Sequence, residues 1–201
     1  MDDVIKEYDG VDFNETNSLP LDPSNPANLR SCEFESCKFL GVRIAGLDLS
    51  HSKFIDCEFI GCDLSNIKVN NCSFRGTTFK DSKAQGVSWS SAKSLDSLSF
   101  DSCVLDDSDF TSLNLKGFRF KNCMAREALF SQSNLSQVDC SGTDFRGAEF
   151  NHANLSSADF RNASNYRINT QLCILKKTRF SMPEAMRLLD SLDSLDIILE
   201  E

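Results

Sequence analysis

The chain has 201 residues, 30 Asp and Glu against 21 Lys and Arg, a net charge of −9 and an isoelectric point near 4.8. That acidity argues against direct binding to nucleic acid, and no apolar run approaches the ~20 residues of a membrane span. Phe is abundant (16) while Tyr (2) and Trp (1) are scarce, as suits an interior that takes rings without polar atoms.

In chain order, residues 1–28 come first and read as an N-terminal cap and loop. They hold seven acids (Asp2, Asp3, Glu7, Asp9, Asp12, Glu15, Asp22) against the single base Lys6. Val11-Asp12-Phe13 looks like one early unit of a five-residue repeat, and Asn14–Pro26, with Pro20, Pro23 and Pro26, reads as a loop. The opening MDDVIKEYDG lacks the basic start and apolar centre of a signal peptide, so the cytoplasm is the expected compartment.

Residues 29–165 repeat every five. A central apolar residue, large in all but Ala84, Ala125 and Cys140, recurs from Leu29 through Phe34, Phe39, Ile44 and Leu49 to Trp89, and again from Phe100 through Leu105, Phe110 and Leu115 to Phe160, thirteen units in each run. A small residue stands two positions before most of these. The period belongs to neither a helix nor a long strand. Residues two apart in a short extended segment point the same way, so each unit sends a small and a large residue inward and turns a corner with the rest. Four sides close a coil of twenty residues. Sorting by twenty aligns Phe34, Phe54 and Phe74, then Phe39, Phe59 and Phe79, then Phe110, Phe130 and Phe150. Trp89 and Phe100 are eleven positions apart, one more than two units need, which predicts a single inserted residue within Ser90–Ser99. About seven coils at roughly 4.8 Å each predict a rod on the order of 35 Å long.

Seven of the nine cysteines (Cys32, Cys37, Cys57, Cys62, Cys72, Cys103, Cys123) fall on the small inward position, and Cys140 on a large one. Buried free thiols are expected, not disulfides or a metal centre. Cys173 lies outside the repeats, and the pattern does not assign its exposure. His51 and His152 have no triad spacing around them, and no phosphate loop or metal-ligand cluster is present, so no catalysis and no cofactor are expected.

Charge is uneven. Between Leu29 and Trp89 seven acids meet eight bases, whereas from Asp101 to Phe160 nine acids meet five. Asp106, Asp107 and Asp109 form the densest group, and Asp144 and Glu149 lie downstream. Such a surface suits a protein that occupies a basic, DNA-binding surface of a partner. Equally, a polar rod needs charge for solubility.

Residues 166–201 read as a C-terminal cap. Ser181-Met182-Pro183-Glu184 has the form of a capping box, predicting an α-helix over roughly 182–193. Met182, Ala185, Met186, Leu189 and Leu192 would share one face and cover the last coil. Leu188, Leu195, Ile197, Ile198 and Leu199 are left over. That surplus predicts a two-fold homodimer through this segment, with Met182, Met186, Leu189 and Leu192 at its interface.

The blocks GTDFR, GAEFN, HANLS and SADFR over Ser141–Asn162 resemble the pentapeptide-repeat family, whose pattern is approximately A(D/N)LXX. The resemblance implies an all-β solenoid, a right-handed quadrilateral β-helix. The tail, Asn165-Tyr166-Arg167-Ile168, Lys176-Lys177, Arg179-Phe180-Ser181, Pro183-Glu184-Ala185 and Leu188-Leu189, is similar to the gyrase-interacting members of Qnr, MfpA and albicidin-resistance type. That likeness implies a C-terminal dimer resembling B-DNA in width and charge. It also implies binding to DNA gyrase, often to topoisomerase IV, and in many members protection from quinolones. Asp106, Asp107, Asp109, Asp144 and Glu149 would carry the contact. Qnr-type members interrupt their coils with two projecting loops. The first is missing here and the second shrinks to one residue, which points toward a plainer DNA mimic or inhibitor. The reading of another class is a generic protein-interaction scaffold with no topoisomerase role.

Overall fold

Each five-residue unit places an aliphatic or aromatic side chain inside and a turn-forming residue at a corner, and the chain winds accordingly. The computed structural model describes residues 6–14 and 29–191. Short strands stack in parallel on four sides. On face 1 these are Lys6–Asp9, Cys32–Glu35, Lys53–Ile55, Ser73–Arg75 and Ser94–Asp96; on face 2, Asp12–Phe13, Lys38–Leu40, Glu58–Ile60, Thr78–Lys80, Ser99–Asp101 and Arg119–Lys121. Faces 3 and 4 are held by single parallel bridges, such as Arg43↔Asp63↔Lys83 and Asp109↔Leu129↔Glu149. The result is a four-sided parallel β-solenoid of about seven turns. Parallel stacking extends past both ends of the 29–165 repeat region: Tyr8 pairs with Phe34, and Arg179–Phe180 pairs with Asp159–Phe160.

The columns read from the sequence are the core. Phe34, Phe54 and Phe74 stack at 5.1 and 4.9 Å, and Phe13, Phe39, Phe59, Phe79, Phe100 and Phe120 form a longer ladder at 4.3–5.4 Å. Trp89, Phe110, Phe130 and Phe150 make a third. From Leu29 on, partners differ by 20 within a column, but Phe74 faces Leu95, Phe79 faces Phe100 and Lys83 faces Val104, each 21 apart. The inserted residue is therefore taken up just after Trp89, where the 3-10 turn Trp89–Ser91 replaces a plain corner. Phe118, Leu98 and Ile67 fill inward positions that are small in most units, and all three are buried.

The corners explain the glycines and much of the Asn, Asp and Ser content. Two positions after the central residue, except after Trp89, the backbone of the repeat units turns left-handed, as at Gly41, Gly61, Asp107, Glu127 and His152. Both histidines are corner residues of this kind.

All nine cysteines are free and buried, Cys173 included. Their chemistry is part of a ladder. The inward small residue donates to a carbonyl one coil back: Cys57 Sγ to Phe34 O (3.3 Å), Cys72 Sγ to Leu49 O (2.8 Å) and Cys173 Sγ to Phe150 O (3.0 Å). Ser and Thr do the same and also accept a backbone N–H, as Ser82 does from Cys62. Cys, Ser and Thr at the inward position thus add a hydrogen bond, while Ala128, Ala148, Ala153 and Ala158 fill it by size alone. Burial pushes the Cys57 and Cys72 thiols up to about 12, which keeps them protonated and inert at neutral pH.

The C-terminal segment differs from its sequence reading. The predicted α-helix over 182–193 is a 3-10 helix, Glu184–Ser191. The two capping-box side chains are engaged elsewhere. Ser181 Oγ accepts the Asn162 N–H (2.7 Å), and the Glu184 carboxylate accepts the Asn165 N–H (2.7 Å) while pairing with Arg187. Both clip the segment onto the last coil and leave the first helical turn uncapped by them. The face expected to cover the coil also changes. Leu188 packs against the core, while Met182, Met186 and Leu189 are 69%, 39% and 38% exposed. Leu192, the surplus residues 195–199 and most of the Asn14–Pro26 loop lie outside the described residues.

Candidate protein-interaction surface

The residue preceding each central position points outward and has a structural duty. An Asp or Asn there accepts the backbone N–H two residues on and so secures the following corner. Asp48 holds Ser50, Asp63 holds Ser65, Asp109 holds Thr111, Asp139 holds Ser141, Asp144 holds Arg146 and Asp159 holds Arg161. Part of the acidity is therefore required by the turns, with no reference to a partner. This divides the five carboxylates singled out from the sequence.

Asp106, Asp107 and Asp109 wrap one corner of the solenoid, with Asp106 on face 3, Asp107 left-handed at the corner and Asp109 on face 4. Asp144 lies on face 3 and Glu149 on face 4, two coils along. The coil between supplies Arg126, which reaches Asp144 at 2.7 Å and donates its backbone N–H to Asp106 (2.9 Å). Burial pushes the Asp144 carboxyl up, but hydrogen bonds from Asn165 (2.8 Å) and Arg126 outweigh it and hold it below the usual range. Asp109 behaves alike: the hydroxyls of Ser90 and Ser88 and the Thr111 backbone more than offset its burial. Asp107 and Glu149 are exposed. The structure adds Glu127, a left-handed corner residue one coil beyond Asp107, its carboxylate lying over Gly147. The sequence pattern passed over it because corner positions are set by backbone conformation. Six carboxylates and two guanidiniums, Arg126 and Arg146, thus share one edge of the rod over three coils. The carboxylates form a patch, and Arg126 and Leu129 interrupt the straight rows.

Exposed apolar side chains also occur toward the C-terminal end: Leu172 and Ile174 on the last coil are 41% and 57% exposed, and Met182, Met186 and Leu189 are exposed in the clipped segment that follows. Among the described residues no three His, Cys, Asp or Glu side chains converge as metal ligands would.

A closed parallel solenoid with four patterned faces defines a class of repeat protein. Family models for the pentapeptide repeat region (residues 52–130) and for pentapeptide repeats in eight copies (residues 126–162) match the chain, spanning 52–162 between them. The chain belongs to the pentapeptide-repeat family. Two trypsin-treated forms of QnrB1, a plasmid-mediated fluoroquinolone resistance protein, superpose with TM-scores of 0.70 and 0.63. Their identities are 18% and 19%, with 96% of this chain and 99% of QnrB1 covered in each, a likeness of fold. No curated protein sequence matches.

Proposed function

We propose that this protein is a DNA-mimicking, Qnr-like rod that binds bacterial DNA gyrase, with topoisomerase IV as a second target, and inhibits or shields the enzyme. The observation that carries the reading is the carboxylate patch along one edge, Asp106 to Glu149, with coils repeating at strand spacing. Carboxylates at successive coils can stand where phosphates would on the basic DNA-binding surface of such an enzyme. Support comes from the QnrB1-like fold over nearly the whole chain. The uninterrupted first run leaves no projecting loop there, which favours inhibition over drug protection. A gyrase supercoiling assay with and without a fluoroquinolone tests this. The expected result is loss of supercoiling with little rescue from the drug.

The exposed Met182, Met186 and Leu189 would meet their copies across a two-fold axis, doubling the rod. Light scattering should return twice 22.4 kDa, and deleting residues 182–201 should yield a monomer or an aggregate. A full-length monomer at micromolar concentration would contradict the dimer.

A generic scaffold role is the second reading. Arg126 and Arg146 within the patch, and the near balance of charge above it, favour that one.

A further inference from the structure

The outward row of face 3 runs Arg43, Asp63, Lys83, Val104, Met124, Asp144, and that of face 4 includes Ser88, Asp109, Leu129, Glu149. Face 3 turns apolar at Val104 and stays so at Met124, and face 4 turns apolar at Leu129, so that the coil of Met124 is apolar on both rows. Met124 and Leu129 are each 37% exposed. Every other large apolar side chain with comparable exposure, among the described residues, belongs to the C-terminal end (Leu172, Ile174, Met182, Met186, Leu189). Met124 and Leu129 stand on either side of one corner, whose turn residues are Arg126 and Glu127. Turn capping explains Asp109 and Asp144 in these rows; it gives no reason for Met and Leu, which cap nothing and cost solvation.

We infer that Met124 and Leu129 form the apolar centre of a docking surface for a basic protein segment that carries its own aliphatic or aromatic side chains. Charge complementarity defines the occupant. Asp106, Asp107, Asp109, Glu127, Asp144 and Glu149 rim the pair against Arg126 and Arg146 alone, so a partner must bring Lys or Arg around an apolar anchor. A desolvated apolar centre inside a charged rim is the usual anatomy of a protein interface. Nucleic acid would be repelled by the rim, and a bare phosphate mimic would need no apolar centre. The inference deepens the gyrase reading and rests on it only for the partner's identity.

Methionine methyl groups give the test. The chain has four methionines, and Met124 is the one remote from both ends. Protein labelled with ¹³C at the Met methyls is titrated with an amphipathic Lys/Leu peptide and with a matched Lys/Ser peptide. The Met124 signal should move and saturate with the first and stay in place with the second. The double variant Met124→Ser, Leu129→Ser should bind the Lys/Leu peptide at least tenfold more weakly. Both side chains point outward, so its melting temperature should match the parent's; the parent's own methyl signals decide the matter in any case. An unmoved Met124, an equal response to both peptides, or shifts confined to Met182 and Met186 would overturn the inference. Absence of gyrase binding by the parent would sink the gyrase reading alone. Equal gyrase affinity of parent and double variant would sink the apolar anchor alone.

Discussion

Replacing Phe54 by Ala is expected to cost about 3–5 kcal/mol in chemical denaturation. Phe54 is 1% exposed and stacks on Phe34 and Phe74 at 5.1 and 4.9 Å, with Phe39 edge-on at 6.2 Å and Phe59 at 5.7 Å. The solenoid cannot collapse around the missing ring, because parallel hydrogen bonds fix Phe34 to Phe54 and Phe54 to Phe74 at strand spacing. The cavity therefore stays open, which puts the cost toward the upper part of that range. Each coil touches only its neighbours, so the variant should also lose cooperativity, separating its unfolding into two steps. A loss below about 1 kcal/mol would mean that the ladder is not the source of stability.

Asp159→Ala should be the most damaging polar substitution, at about 1–3 kcal/mol. Asp159 is 7% exposed, caps the corner at Arg161 N, and pairs with Arg161 (2.7 Å) and Arg179 (3.2 Å), the latter on the final coil. Both guanidiniums are more than half exposed, so solvent screening keeps the pairs weak; the lost turn bond and the loosened last coil supply most of the effect. The Arg161 hydrogen bond, despite burial, holds the Asp159 carboxyl below the usual range. A depressed folded-state pKa gives stability that is complete above the unfolded value near 4 and is lost as pH falls through the folded one. Asp48, Asp63, Asp109 and Asp144 are shifted the same way. The parent should lose stability below about pH 4, and Asp159→Ala should flatten that dependence. A variant with the parent's full acid sensitivity would contradict the assignment.

The interior was legible because its signal is geometric. A five-residue period fixes which side chains point inward, and stacked Phe columns at twenty residues show that coils share core volume. The same logic placed eight of the nine cysteines inside and confined the extra residue to Ser90–Ser99, which the structure narrows to the turn Trp89–Ser91. Four things were hidden. The bond from Cys57 Sγ to Phe34 O links residues 23 apart, a relation no local pattern exposes. Asp109 and Glu149 look alike in sequence, yet one is engaged with Thr111 N, Ser88 and Ser90 while the other is exposed. Ser181 and Glu184 had the spacing of a capping box, but the last coil offered Asn162 N–H and Asn165 N–H as competing donors, and tertiary contact overrode the local cap. Met124 and Leu129 escaped notice because the pattern marks their positions only as outward.

The central claim is that the carboxylate edge contacts gyrase, and the most direct measurement is the affinity of purified gyrase for the parent and for Asp106→Asn, Asp107→Asn, Asp109→Asn across a salt series. Asn keeps the acceptor that Thr111 N needs, so folding should be unchanged. Three surface charges at roughly 0.5–1 kcal/mol each predict a loss of at least about tenfold at low salt. Parent binding should weaken steeply as salt rises, and the variant's less so. Equal affinities, with parent binding indifferent to salt, would contradict the account.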